Sequence, residues 1–539
     1  MLEKAARQAA EKDPVSALEY ADRYIKEPYA IEIFSKIIQS DPVTWLKEGK
    51  NNAIEALSQK GSPLDKQILS IIQRANSEEN KEIVFFIDNI VSRGEKYEDI
   101  KKELLNPGAF SSKLSAIYYT QTKFGTKSIE IKIKENTLKE VWRINNLHNR
   151  PDKERFKSVE KADSKTLYTL ITLGEEEVFT STFNGLFNRL MARLKQENKS
   201  AYELIADVDF KNSRTFLKIC SRFNRLRDFF KAMSKDQKEE LLQRFISNIE
   251  KQEDYLSEGV NVADFFGSLK DSELQKYMQG LVKAQYERVK GKSKRGEKIY
   301  GLLAGMFADH ALMDEKWFEI IAQKYTMENM SSVESKELFN GNINVQAHYF
   351  YNDDDGKNSF EHFLNTYSRD ASWRIKDKGE YVYIHKEVNG RKMEIYANKP
   401  INEDTEEVKK ELEKQNIKSI IVVHRGHSYH AQDTINRIPS IAKIVSLGSC
   451  GSYSNLNGVL DRAPNAHIIS TKGTGTMTVN DDLFKALNEE ILSGNNIDWQ
   501  KFWSKMEQKF GKNDMFKDYI PPNRNLGVMF IKAYRKLEK

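Results

Sequence analysis

The chain has 539 residues, enough for several domains at the usual ~100–200 residues each. Hydrophobic residues make up 39% and aromatic residues 11%, which fills cores and excludes global disorder. Lysine plus arginine exceeds aspartate plus glutamate by only six, an excess too thinly spread for a dedicated nucleic-acid binder, and two cysteines, Cys220 and Cys450, form neither a disulfide framework nor a cysteine zinc cluster.

The N-terminus, Met1-Leu-Glu-Lys-Ala-Ala-Arg-Gln, runs into an amphipathic pattern without the apolar region of a secretory signal. The most apolar stretch, around Ile299–Met313, contains Asp309 and His310 and is too short to span a bilayer. A reducing, cytoplasmic setting is expected, with no membrane association; an export signal trimmed from the chain would leave no trace.

Residues 1–340 read as helical. Ala30–Ile38, Phe216–Phe230 and Leu241–Ile249 return apolar residues every three to four positions. Asp13-Pro14-Val15 and Asp41-Pro42-Val43 lie 28 residues apart. In each, Asp is placed to cap a helix and Pro occupies its first turn, where its missing N–H costs no bond. Two copies point to a solenoid-like array or equally to an irregular helical domain. Ser128–Ile133 is the one strand expected in this half. Charged runs such as Glu135–Lys139 and Arg288–Lys298 read as solvated surface, the second as a loop between helices and a candidate contact for an acidic partner.

The pattern changes near residue 343. Val345–Tyr351 has strand character and Asn352–Gly356 a turn, followed by a helix over Ser359–Tyr367 with Ser359 as its cap. Tyr381–Val388 and Arg391–Tyr396 flank Asn389-Gly390, which predicts a hairpin. Helix Glu406–Gln415, strand Ile417–Val423, a short helix near Asp433–Arg437, strand Ala442–Leu447, strand His467–Ser470 and helix Asp481–Leu492 then alternate. That alternation implies an α/β domain over 343–539 with a mostly parallel sheet. Trp499–Phe510 and Leu526–Leu537 add two helices or a helix and a strand.

Two of these strands end in loops that carry chemistry, Ile420-Ile-Val-Val-His424-Arg-Gly-His427-Ser428-Tyr-His430 and Ile444-Val-Ser-Leu-Gly-Ser-Cys450-Gly-Ser. Ligands bind beyond the carboxyl ends of parallel strands. Neighbouring strands here bring His427 and Cys450 to one edge as a thiol nucleophile and its acid–base partner. The small residues around Cys450 let a substrate backbone approach. A metal reading uses His424, His427, His430 and Cys450, but Gly426 places a turn that scatters the histidines and no catalytic carboxylate is in register. Asp353–Asp355 resembles a calcium loop without its twelfth-position Glu, and reads as a polar turn with a substrate-contact role left open. Cys220 sits on an apolar helix face and reads as structural.

At these residues the sequence resembles the caspase-like cysteine peptidases, the superfamily of gingipains, clostripains, metacaspases, separases and CHAT-domain proteases. Its pattern is an apolar strand, a His-Gly turn, and a second apolar strand ending in Ala-Cys or Gly-Cys. Ser428 stands where the family usually has Gly, and the 23 residues between His427 and Cys450 are closer to separases and CHAT proteins than to caspases proper, with ~50. The resemblance covers about residues 343–500. It implies a caspase-like α/β peptidase domain after a helical region, a His427–Cys450 dyad, and an oxyanion hole from the backbone of Ser428 and Cys450. It further implies a substrate cleft lined by Gly473 and Thr474, with Asp481 selecting basic side chains. The substrate is then a protein or peptide, with the helical region recruiting it or a protein partner, and no cofactor or metal is expected. The alternative is a catalytically inactive caspase-like domain on a helical scaffold.

Overall fold

The computed structural model describes residues 13–538 except 121, 176, 309–311, 313, 328–329, 402–405 and 512. The N-terminal reading over Met1–Gln8 and the positions Asp309, His310 and Met313 therefore lie outside the described residues. The chain divides into two compact units, 1–216 and 217–539.

The first unit is helical. Asp13 caps helix Pro14–Arg23 and Asp41 caps Pro42–Glu48, each accepting the N–H three residues on at 3.1 Å, with proline in the first turn. The apolar stripe of Pro28–Ser40 supplies Ile33, Phe34, Ile37 and Ile38 to a core shared with Trp45, Leu57, Ile68 and Phe86. The strand expected at Ser128–Ile133 is instead part of helix Thr126–Asn146. Its β-branched run suggested strand, but Ile129 and Ile133, four apart, both enter that core, and helical packing overrides local propensity.

Among its described residues, the second unit holds six α-helices from Leu226–Phe230 to Glu315–Lys324, and then the sheet. Sheet structure begins close to the expected position, but the helices after residue 216 belong to the same compact unit as the sheet. The reason is direct packing. A Cβ on Gly259 of helix Tyr255–Ser268 would sit 2.4 Å from Phe530, and one on Gly527 of helix Leu526–Lys536 2.8 Å from Val260. Glycine lets the two helices meet closely. The basic run Arg288–Lys298, expected as a loop, covers the end of helix Ser272–Val289, a turn at 290–293 and the start of helix Lys294–Phe307. Arg288 pairs with Glu250 at 2.9 Å, and Arg295 lies 4.3 Å over the Tyr255 ring. Among the described residues, no helix is long and apolar enough to cross a membrane.

Ten strands follow: β1 (Ser332–Val333), β2 (Ile343–Phe350), β3 (Arg374–Asp377), β4 (Tyr381–Val388), β5 (Arg391–Asn398), β6 (Ile421–Arg425), β7 (Ile444–Leu447), β8 (His467–Thr471), β9 (Ile497–Asp498) and β10 (Tyr519–Ile520). Eight form one mixed sheet in the order β10-β8-β7-β6-β2-β5-β4-β3, while β1 pairs with β9. The centre, β8-β7-β6-β2-β5, is parallel, and β3, β4 and β10 join antiparallel at the two sides. Central strands are buried along their length, the sequence signature of a parallel sheet covered on both faces. Asn389 and Gly390 both take positive φ, +50° and +76°, as a type I′ hairpin turn requires. The helix after β2 runs Asp354–Ser368 with Asp353 as its cap, so it starts five residues before the expected Ser359. Ser359 is buried within the helix instead.

Of the histidines in this sheet, three lie deep within it. His348 and His424 are fully buried and His467 largely so; burial is the main cause that pulls each pKa down to about 3. The Arg425 charge adds to the effect at His348 and His424, and Lys532 and Lys443 add to it at His467. His467 accepts the Trp499 indole N–H at 2.9 Å, which holds the neutral ring. The unfolded chain binds these protons near pH 6.5 and the folded chain near 3. Their contribution to stability is therefore complete above 6.5 and lost as the pH falls toward 3. Urea unfolding of the sheet-bearing unit should show a midpoint that drops steadily from pH 7 to 4, with a shallower slope in His348→Gln.

Candidate active site

The site is set by how β6 pairs with its two neighbours. The last β6–β7 register pair is His424 with Leu447, continued by the Gly448 N–H to the His424 carbonyl at 3.2 Å. His427 and Cys450 are each the third residue beyond that pair. On the other side, Phe350 of β2 pairs with Arg425 of β6. Loops from three adjacent parallel strands thus leave one edge together, carrying Asp353–Asp355, His427 and Cys450. Asp355 lies within electrostatic reach of both: burial, the main cause, raises its pKa against the opposing pull of His427, and its charge helps raise that of Cys450.

Gly426 takes φ +130° and turns the chain out of β6. The His427 Nε2–H donates to Asp354 Oδ1 at 3.1 Å, and the ring stacks on Tyr429 with centroids 5.2 Å apart. Asp354 lies in the first turn of helix Asp354–Ser368. Cys450 follows the fully buried strand β7 and remains part-exposed. Burial, as the main cause, pushes the Cys450 thiol up, and the carboxyls of Asp355 and Asp518 add to it. The Gly475 N–H bonded to the thiol and the Arg222 charge pull the other way. The resting group is therefore a thiol. Cys220, by contrast, is fully buried in helix Ser213–Arg222, and burial pushes its thiol well up.

The loop after β8 packs on the Cys450 loop. Gly473 accepts the Gly451 N–H at 2.7 Å, and the Thr474 N–H donates to Asp518 Oδ2 at 2.7 Å. A Cβ on Gly475 would come within 2.2 Å of the Gly448 carbonyl, so only glycine permits this approach. Gly473 thus sits beside the turn that follows Cys450. Among the described residues, no protein acceptor takes the Ser428 or Cys450 backbone N–H.

Asp481 requires a correction. The last long helix starts at Met477, before the expected Asp481, and the Asp481 side chain faces inward with no exposed surface. It pairs with buried Arg425 and accepts from His362 Nδ1 at 2.5 Å. Both oxygens are committed inside the protein, so it offers nothing to a substrate. The four-ligand metal reading also fails. His424 is buried, donates Nε2–H to the His427 carbonyl at 3.1 Å and accepts from the Thr434 hydroxyl at Nδ1, 2.8 Å. His430 stacks on Tyr351 at 4.2 Å and pairs with Asp353 at 3.3 Å. A different set, Asp353, Asp354 and His427, has ligand atoms within 4.8 Å of one another. Of these, Asp353 is already engaged: its Oδ1 accepts the Gly356 N–H at 2.6 Å as the helix cap, and its Oδ2 faces His430.

Sequence reasoning left a substrate-contact role open for Asp354 and Asp355 but did not pair them with His427, and it did not identify Asp518 or Arg222 as parts of this site. The first two belong to an acidic run noted at the end of a strand, and only the β2–β6 pairing reveals that they face His427. Nothing local marks Arg222 or Asp518. Compared with protein-family models, curated proteins and solved structures, the chain matches none.

Removing one partner of a buried ion pair strands the other charge. Asp481→Asn should cost the sheet-bearing unit about 3–5 kcal/mol, measured by chemical unfolding. It should leave unchanged any preference among charged and neutral peptide side chains, read as kcat/KM ratios.

Proposed function

We propose that the second unit is a cysteine endopeptidase with a His427–Cys450 dyad, joined to helices that recruit a substrate or protein partner. The observation that carries this reading is the shared edge: His427 and Cys450 are each the third residue after the paired His424 and Leu447, and Asp355 interacts electrostatically with both.

In this mechanism the Cys450 thiol gives its proton to His427, and the sulfur attacks the scissile carbonyl. The Ser428 and Cys450 N–H groups receive the oxyanion, a contribution of ~2.7–4 kcal/mol per donor in comparable sites. His427 returns the proton to the leaving amine, the C–N bond breaks and an acyl-enzyme thioester remains. Water then attacks that thioester, losing its proton to His427, and the thiol leaves with the proton restored. Asp354, bonded to His427 Nε2, orients the ring and steadies its positive charge, as a carboxylate does for a catalytic imidazole.

A second reading, an inactive caspase-like domain on a helical interaction scaffold, is favoured by the burial that keeps Cys450 protonated. The two readings separate in one experiment. Under the peptidase reading, Cys450→Ala and His427→Ala each lower turnover of a cleaved peptide-library substrate by on the order of 10³-fold or more, while Cys220→Ser leaves it intact. A parent chain that cleaves no peptide in the library, or variants that match the parent, leave the inactive scaffold.

A further inference from the structure

The helical segment before the sheet contributes one side chain to the nucleophile loop. Arg222 ends helix Ser213–Arg222 and donates from Nη2 to the Gly451 carbonyl at 3.0 Å, across 229 sequence positions. Gly451 is the residue directly after Cys450 and takes φ +59°. Its own N–H donates to the Gly473 carbonyl at 2.7 Å. The peptide groups on both sides of this hinge-prone glycine are therefore held, one by the loop after β8 and one by Arg222. The fit is close: a Cβ on Gly451 would lie 2.1 Å from the Arg222 guanidinium.

We infer that Arg222 is a positioning residue for Cys450: it fixes the Gly451 turn that aims the thiol and its backbone N–H, and it seats a guanidinium charge on the residue that follows Cys450. The inference rests on the dyad reading for its catalytic meaning, and on the Arg222–Gly451 contact alone for its structural part.

The electrostatic role follows from what surrounds the sulfur. Asp355, in the first turn of Asp354–Ser368, and Asp518, beneath the Gly473–Thr474 loop, both disfavour the thiolate. The Gly475 N–H and Arg222 favour it. Asp355 in turn faces His427, Asp353, Asp354 and Arg425. Against two carboxyls, loss of the Arg222 charge leaves the thiol harder to ionise.

The test is the rate of Cys450 alkylation by iodoacetamide as a function of pH, resolved by peptide mass spectrometry, on the full chain. Buried Cys220 serves as an internal control for unfolding. Arg222→Gln keeps a donor and removes the charge. It should move the alkylation midpoint up by about half a pH unit or more, a rate about threefold lower at pH 7. Arg222→Lys keeps the charge and should hold the midpoint near that of the parent. Gly451→Ala drives the guanidinium from its seat and should reproduce the Arg222→Gln shift; it decides the matter if Arg222→Gln fails to fold. On a cleaved peptide, Arg222→Gln should lower kcat with little change in KM. A profile that coincides with the parent's in folded Arg222→Gln, or in Gly451→Ala where that variant must decide, overturns the inference. Alkylation needs no peptidase activity, so an inactive parent defeats the proposed function without touching this result.

Discussion

Three parallel strands in register, β2, β6 and β7, govern everything at the candidate site. Because parallel strands run in the same direction, their carboxyl ends share an edge and their exit loops share a crevice. The pairing of His424 with Leu447 brings the loops of His427 and Cys450 to one sheet edge, and the pairing of Phe350 with Arg425 brings the acidic turn Asp353–Asp355 to the same edge. A one-residue slip of β6 would turn its side chains to the opposite faces of the sheet, taking Arg425 from Asp481 and His424 from Thr434, so these buried contacts and the site geometry are one constraint.

The edge is also supported from beneath. Arg425, the last residue of β6, is buried and paired with Asp481 of the helix Met477–Ser493. His424 is clamped between Thr434 and the His427 carbonyl. Both hold the turn that presents His427. Buried ionic and imidazole groups are poor sources of net stability, and their concentration under one loop fits a role in setting its shape. The nucleophile loop is braced differently, by backbone bonds to the Gly473 loop and by an arginine from the helical segment.

Much of the second unit was legible in the residues. The Asn-Gly hairpin, the buried runs of β6 and β7 and the helices at Glu407–Lys414 and Trp499–Phe510 appear where periodicity and turn chemistry place them. So do the Asp-Pro helix starts of the first unit. Errors arose where a local signal competes with packing. The isoleucines after Ser128 favour strand locally, yet their four-residue spacing serves a helical core. Ser359 has the chemistry of a cap, but Asp353 precedes it and captures the Gly356 N–H first. Asp481 looked exposed because a carboxylate is usually exposed; its burial depends on an arginine 56 residues earlier.

The sequence by itself determined the alternation of strand and helix after residue 343 and the two loops that carry a histidine and a cysteine, because periodicity and small-residue turns are local properties. Only the tertiary structure decided which carboxylates face that histidine, which acid is buried out of reach, and which arginine holds the turn after the cysteine. These depend on strand order and on helix packing over more than two hundred residues, where chain separation carries no local trace.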